Sequence, residues 1–113
     1  MNIKLGIVMD PIEDININKD SSFAMMLAAQ ERGWDIFYIE LADMYLEQGI
    51  AKSRLRKVTV QHNESNWFDL SPEEDLPLSS LNAIIMRKDP PVDAEFIYAT
   101  HILERAEEEG VLI

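Results

Sequence analysis

The residues best suited to chemistry in this sequence gather in two short segments. One is Arg87, Lys88, Asp89, Pro90 and Pro91, where two cations and a carboxylate are followed by a proline pair. Proline fixes φ and pushes the residue before it out of helical geometry, so Asp89 and Pro90 are expected to be extended. A rigid cationic loop suits an anionic small molecule, because arginine offers a planar fork that matches a carboxylate. The other segment runs from Asp10 and Pro11 to Ser22, a polar stretch that ends where a helix is expected to begin. Free amides at a helix N-terminus also favour anions. Plainer roles stay open for each: Arg87 as a strand-end arginine paired with a surface carboxylate, Asp10 as the cap of the next turn.

The elements that carry these loops read as buried strands. Residues 3–9 become continuously apolar toward their end, as a strand covered on both faces does. Asp20, Ser21 or Ser22 then caps a helix predicted to reach about Arg32, with Phe23, Met26 and Leu27 as its core stripe and Gly33 as a left-handed stop. Residues 36–39 and 83–86 are two further apolar strands, and strand, helix, strand makes a βαβ unit with a right-handed crossover. After a loop over 87–92, a second helix is expected over about 93–109, with Phe96, Ala99, Leu103 and Ala106 at spacings of three and four and Gly110 as its stop. The class is α/β, a Rossmann-like domain with a mainly parallel sheet flanked by helices. In such sheets ligands bind beyond the carboxyl ends of the strands, where both candidate segments fall.

The middle of the chain reads differently. Residues 50–60, entered through Gly49, suggest a strand or hairpin on the sheet edge, and Lys52, Arg54, Arg56 and Lys57 would guard that edge against pairing. Residues 61–80 read as a surface loop held down by Trp67 and Phe68. Val111, Leu112 and Ile113 look like the opening of another buried strand, and a sequence that stops in an apolar run reads as a piece whose remainder lies downstream.

Composition narrows the partners. The 113 residues suffice for one core, and ten Lys and Arg against 21 Asp and Glu leave a net charge of −11, which repels nucleic acid and anionic membranes. No apolar run approaches the length of a membrane span, and the absence of cysteine excludes disulfides and thiol nucleophiles, in keeping with the cytoplasm. His62 and His101 belong to no metal-binding spacing.

The same two segments carry a family resemblance. Gly6 to Pro11 followed by Lys19 to Met25, then Met86 to Pro91 followed by Glu95 to Thr100 and Ile102 to Glu107, resemble the N-terminal domain of bacterial glutathione synthetase over nearly the whole chain. The resemblance implies a pre-ATP-grasp domain of a ligase that joins γ-glutamylcysteine to glycine with ATP and Mg²⁺ through an acyl phosphate. It also implies a homo-oligomer, and Arg87, Lys88, Asp10 and Ser22 as contributors to γ-glutamylcysteine binding, none of them catalytic. The departure is equally specific. The four glycines, Gly6, Gly33, Gly49 and Gly110, are isolated, so neither a phosphate-cradling loop nor a magnesium cluster is expected, and the ATP-grasp domains are absent from this chain. The piece alone is therefore expected to be inactive and to self-associate through apolar surface that other domains would cover. A stand-alone doubly wound binding or signalling domain, receiver-like with Asp10 in an acidic pocket, is the alternative. Its usual ring of strand-end carboxylates is opposed by Met86, Arg87 and Lys88.

Overall fold

A computed structural model describes residues 3–9, 11–14, 21–61, 63, 65–87 and 94–113. Strands β1 (Lys4–Val8), β2 (Asp35–Ile39), β3 (Met44–Glu47), β4 (Ile50–Val60), β5 (Phe68–Leu70), β6 (Glu74–Pro77) and β7 (Ala83–Met86) form one sheet, with helices α1 (Ser21–Glu31) and α2 (Ala94–Glu108) packed on it. The main path runs β3–β4–β2–β1–β7, while β5 and β6 also pair with β4. Parallel pairing joins β1 to β2 and to β7; every pair that involves β4 is antiparallel. The α/β class stands, but the sheet is mixed, with its parallel part confined to the three strands that both helices cover.

Alternation along the strands divides the core into two layers. Leu5 and Ile7 of β1 and Met9 just beyond it, with Ile36 and Tyr38 of β2, pack against Phe23, Met26 and Ala29 of α1. Val8, Phe37, Ile39 and Ile84 point the other way, toward Ile102, Leu103 and Ala106 of α2. With apolar side chains required on both faces, these short strands show no polar phase, which is why they read as unbroken apolar runs. Both helices stop in the same way: Gly33 (φ +80°) and Gly110 (φ +105°) take left-handed geometry. The next amides, Trp34 N–H and Val111 N–H, then donate back to Ala29 and Ala106 carbonyls at 3.2 Å each, a Schellman closure.

The hairpin expected at the sheet edge is present, with β3 as the outermost strand of the main path and residues 50–60 as its inner strand. Lys52 and Ser53 have partners in both β3 and β6, and Val58 has partners in both β2 and β5, so β4 lies inside the sheet. The extra neighbours come from 61–80, which is no mere loop but supplies two short strands; Trp67 and Phe68 do pack against the core as anchors. The basic cluster accordingly answers carboxylates on adjacent elements: Lys52 Nζ lies 3.4 Å from Glu47, Arg54 Nε 3.8 Å from Asp43 and Lys57 Nζ 3.0 Å from Asp35. The β3–β4 hairpin turns on Gln48 and Gly49, both at positive φ, the geometry of a type I′ turn. Burial along β4 changes phase midway, so that Ala51 and Leu55 enter the α2 layer while Val58 and Val60 enter the α1 layer. At the other margin Leu112 makes a parallel bridge to Ala83, setting the last residues beside β7.

Candidate functional site

Because β2, β1 and β7 run in the same direction in register, Ile39, Val8 and Met86 end level with one another. The hydrogen-bond ladder continues one residue further on each side: Met9 N–H donates to the Ile39 carbonyl at 3.1 Å, and Arg87 N–H donates to the Val8 carbonyl at 2.8 Å. The backbone of Arg87 is thus fixed at the carboxyl rim beside the exit of β1. Its side chain is exposed, and Nε–H donates to the Ser22 hydroxyl at 3.4 Å. Ser22 is buried in the first turn of α1, with 5% of its surface exposed. The structure therefore brings together two of the four residues singled out from sequence. Asp10 and Lys88 lie outside the described residues, as do Asp89, Pro90 and Pro91.

A second feature of this rim was not foreseen. After β1 the chain enters a single 3₁₀ turn, Ile12–Asp14, in which Ile12 is fully buried. Ile12 N–H donates to the Tyr38 phenol oxygen at 3.1 Å, the Tyr38 hydroxyl donates to Glu40 Oε2 at 2.7 Å, and the Trp67 indole N–H donates to the Ile12 carbonyl at 3.2 Å. Burial, and then the hydrogen bond to Glu40, raise the Tyr38 phenol well above its ordinary value and keep it a donor. From sequence, Tyr38 reads only as an apolar strand residue and Trp67 only as an anchor, since polar handles on large rings leave no periodic signal.

Beside Tyr38 a cavity of about 300 Å³ is lined by Glu13, Glu40, Asp43 and Glu73 against a single guanidinium, that of Arg56. Burial raises the Asp43 carboxyl above its usual range, while the backbone N–H of Glu40 opposes the shift. Four carboxylates facing one cation repel an anionic ligand, so this cavity does not suit an anion. Among the described residues no group of three or more His, Asp or Glu side chains is disposed to hold a metal ion. Gly33, Gly49 and Gly110 serve turns and Gly6 lies inside β1, so the chain's glycines do not fit a phosphate cradle for ATP. His101 is exposed, with Nδ1 3.8 Å from Glu104, and His62 lies outside the described residues. No helix among the described residues is long and apolar enough to cross a membrane.

Comparison with known proteins adds an independent finding. A family model described as "Prokaryotic glutathione synthetase, N-terminal domain" matches residues 3–113. A protein named glutathione synthetase from Citrobacter rodentium is 63% identical over 111 residues, covering 98% of this chain and 35% of that protein. The proteins of the same name from Vibrio vulnificus (strain YJ016) and Escherichia coli (strain K12) are 58% and 60% identical, covering 100% and 98% of the chain. The chain spans about a third of the length of these relatives, 35–36%.

Proposed function

The chain belongs to the family of prokaryotic glutathione synthetase N-terminal domains, and from that membership we propose that it is the substrate-side domain of a ligase joining γ-glutamylcysteine to glycine. ATP and Mg²⁺ would be held by ATP-grasp domains outside these residues. The chain's own part is to present Arg87 at the carboxyl rim, where a guanidinium pairs with a substrate carboxylate. The single observation that supports this reading best is the convergence of the Arg87 and Ser22 side chains at 3.4 Å, delivered by β7 and α1 from 65 residues apart in sequence. Asp10 and Lys88, adjacent in sequence to that rim, join Arg87 and Ser22 as proposed contacts of γ-glutamylcysteine. A cytoplasmic setting accompanies the reading, supported by a chain without cysteine.

A chimera tests the proposal. Residues 3–113 replace the matching segment of the Escherichia coli (strain K12) relative, and glutathione formation from γ-glutamylcysteine, glycine and ATP is measured. The expected result is ATP-dependent synthesis by the chimera and no ATP hydrolysis by the 113-residue chain alone. A folded chimera that makes no glutathione, or hydrolysis by the isolated chain, would overturn it.

We further propose that the isolated chain self-associates. An apolar groove runs between α1 and β7, lined by Leu5, Met25, Ala28, Trp34 and Ile85 together with Arg32, and beside β7 Leu112 and Ile113 remain 72% and 42% exposed. Sedimentation equilibrium is expected to return a mass above the 13.0 kDa of one chain. A strict monomer at high concentration would refute this.

A further inference from the structure

We infer that Tyr38 and Trp67 are positioning residues for the substrate rim, gripping Ile12 by its N–H and its carbonyl so that the turn Ile12–Asp14 keeps one conformation. The inference rests on the substrate-side reading above. Ile12 stands two residues beyond Asp10 and four beyond the end of β1, where the sheet ladder no longer supplies partners. A fully buried residue there needs another source of hydrogen bonds. Tyr38 and Trp67 supply it at 3.1 and 3.2 Å, from positions 26 and 55 residues away in sequence. Tyr38 is opposite Ile7 in the parallel register, so its ring lies under the exit of β1, and its hydroxyl passes the interaction on to Glu40 at 2.7 Å. Linked donors and acceptors of this kind polarise one another and favour a single arrangement. Each ring is also anchored by packing: Tyr38 is 5% exposed and Trp67 packs on the α1 layer. The grip thus ties the turn Ile12–Asp14 to β2 and to the segment before β5, so that this part of the rim is set before a ligand arrives.

Preorganisation of this kind has a defined kinetic signature. If only a fraction of molecules holds the binding-competent loop, the apparent dissociation constant rises by the reciprocal of that fraction, with the chemical step untouched. In the chimera, Tyr38→Phe removes two hydrogen bonds and keeps the ring, and Trp67→Phe removes the third. Each is expected to raise KM for γ-glutamylcysteine by at least about threefold to tenfold, the worth of one net hydrogen bond. The kcat at saturation and KM for ATP and for glycine should stay within about twofold of the parent, because a competent loop once formed is the same loop. A purely structural role would instead lower kcat and shift all three KM values together, and that result, or an unchanged KM for γ-glutamylcysteine in both variants, refutes the inference. Should Tyr38→Phe fail to fold, Trp67→Phe decides alone. Arg87→Ala run in parallel separates the two readings: if it raises KM for γ-glutamylcysteine while the ring variants do not, the grip is wrong and the rim assignment survives. If Arg87→Ala has no effect, the rim assignment itself fails.

Discussion

Replacing Arg87 by alanine in the chimeric ligase is expected to raise KM for γ-glutamylcysteine about tenfold to a hundredfold, the range set by losing a hydrogen bond to a charged group. The size of the effect follows from where the residue is held. Its amide is tied to the Val8 carbonyl at 2.8 Å, so truncating the side chain leaves the strand end in place and removes the guanidinium with its hydrogen bond to Ser22. Arg87→Lys should recover only part of the loss, because an ammonium keeps the charge but not the planar fork. KM for ATP is expected to stay within about twofold, since the proposed contact is with the other substrate. Steady-state kinetics with each substrate varied in turn checks this. An unchanged KM for γ-glutamylcysteine with a lowered melting temperature would make Arg87 a structural strand-end residue.

Phe23→Ala is expected to remove about 3–5 kcal/mol of folding stability, the cost of deleting a buried aromatic ring. Against a typical domain stability of about 5–15 kcal/mol, that is enough to leave a sizeable unfolded fraction. The ring is 1% exposed and packs in the α1 layer with Ile7, Met26 and Ile36, so little solvent can enter to relieve the void. Phe23→Leu fills most of the space and should cost less than about 1.5 kcal/mol. Urea midpoints for the three chains measure both. A loss under about 1 kcal/mol for the alanine variant would mean that α1 does not seal this layer. The position also matters for the rim, since Phe23 follows Ser22 and anchors the turn that presents its hydroxyl.

The parts of this architecture legible in the sequence are those whose signal is local. β1, β2 and β7 are apolar without interruption because helices cover both faces, and Gly33 and Gly110 end the helices because glycine adopts positive φ at little cost. β5 and β6 were hidden. Phe68–Leu70 is three residues long and Glu74–Pro77 is half acidic and ends in proline, so neither has strand propensity of its own. Both are templated by the exposed backbone of β4, an interaction set by tertiary position. The hairpin at the sheet edge was legible from Gly49 onward, but the change of phase along β4 obscured the alternation that would have marked this strand as the hairpin's inner member. At the site, Arg87 and Ser22 followed from the rule that ligands meet the carboxyl ends of parallel strands. Tyr38 and Trp67 did not, because what matters in each is one polar atom on a ring that otherwise reads as core. Asp10 and Lys88 lie outside the described residues.

The phase change along β4 has a thermodynamic consequence. Its eleven residues are shared between the two layers, Ala51 and Leu55 in one and Val58 and Val60 in the other. Neither layer can melt while the other stays intact without pulling this strand in two. Loss of order on one side is therefore transmitted to the opposite side through a covalent backbone, the kind of coupling that merges local openings into one all-or-none event.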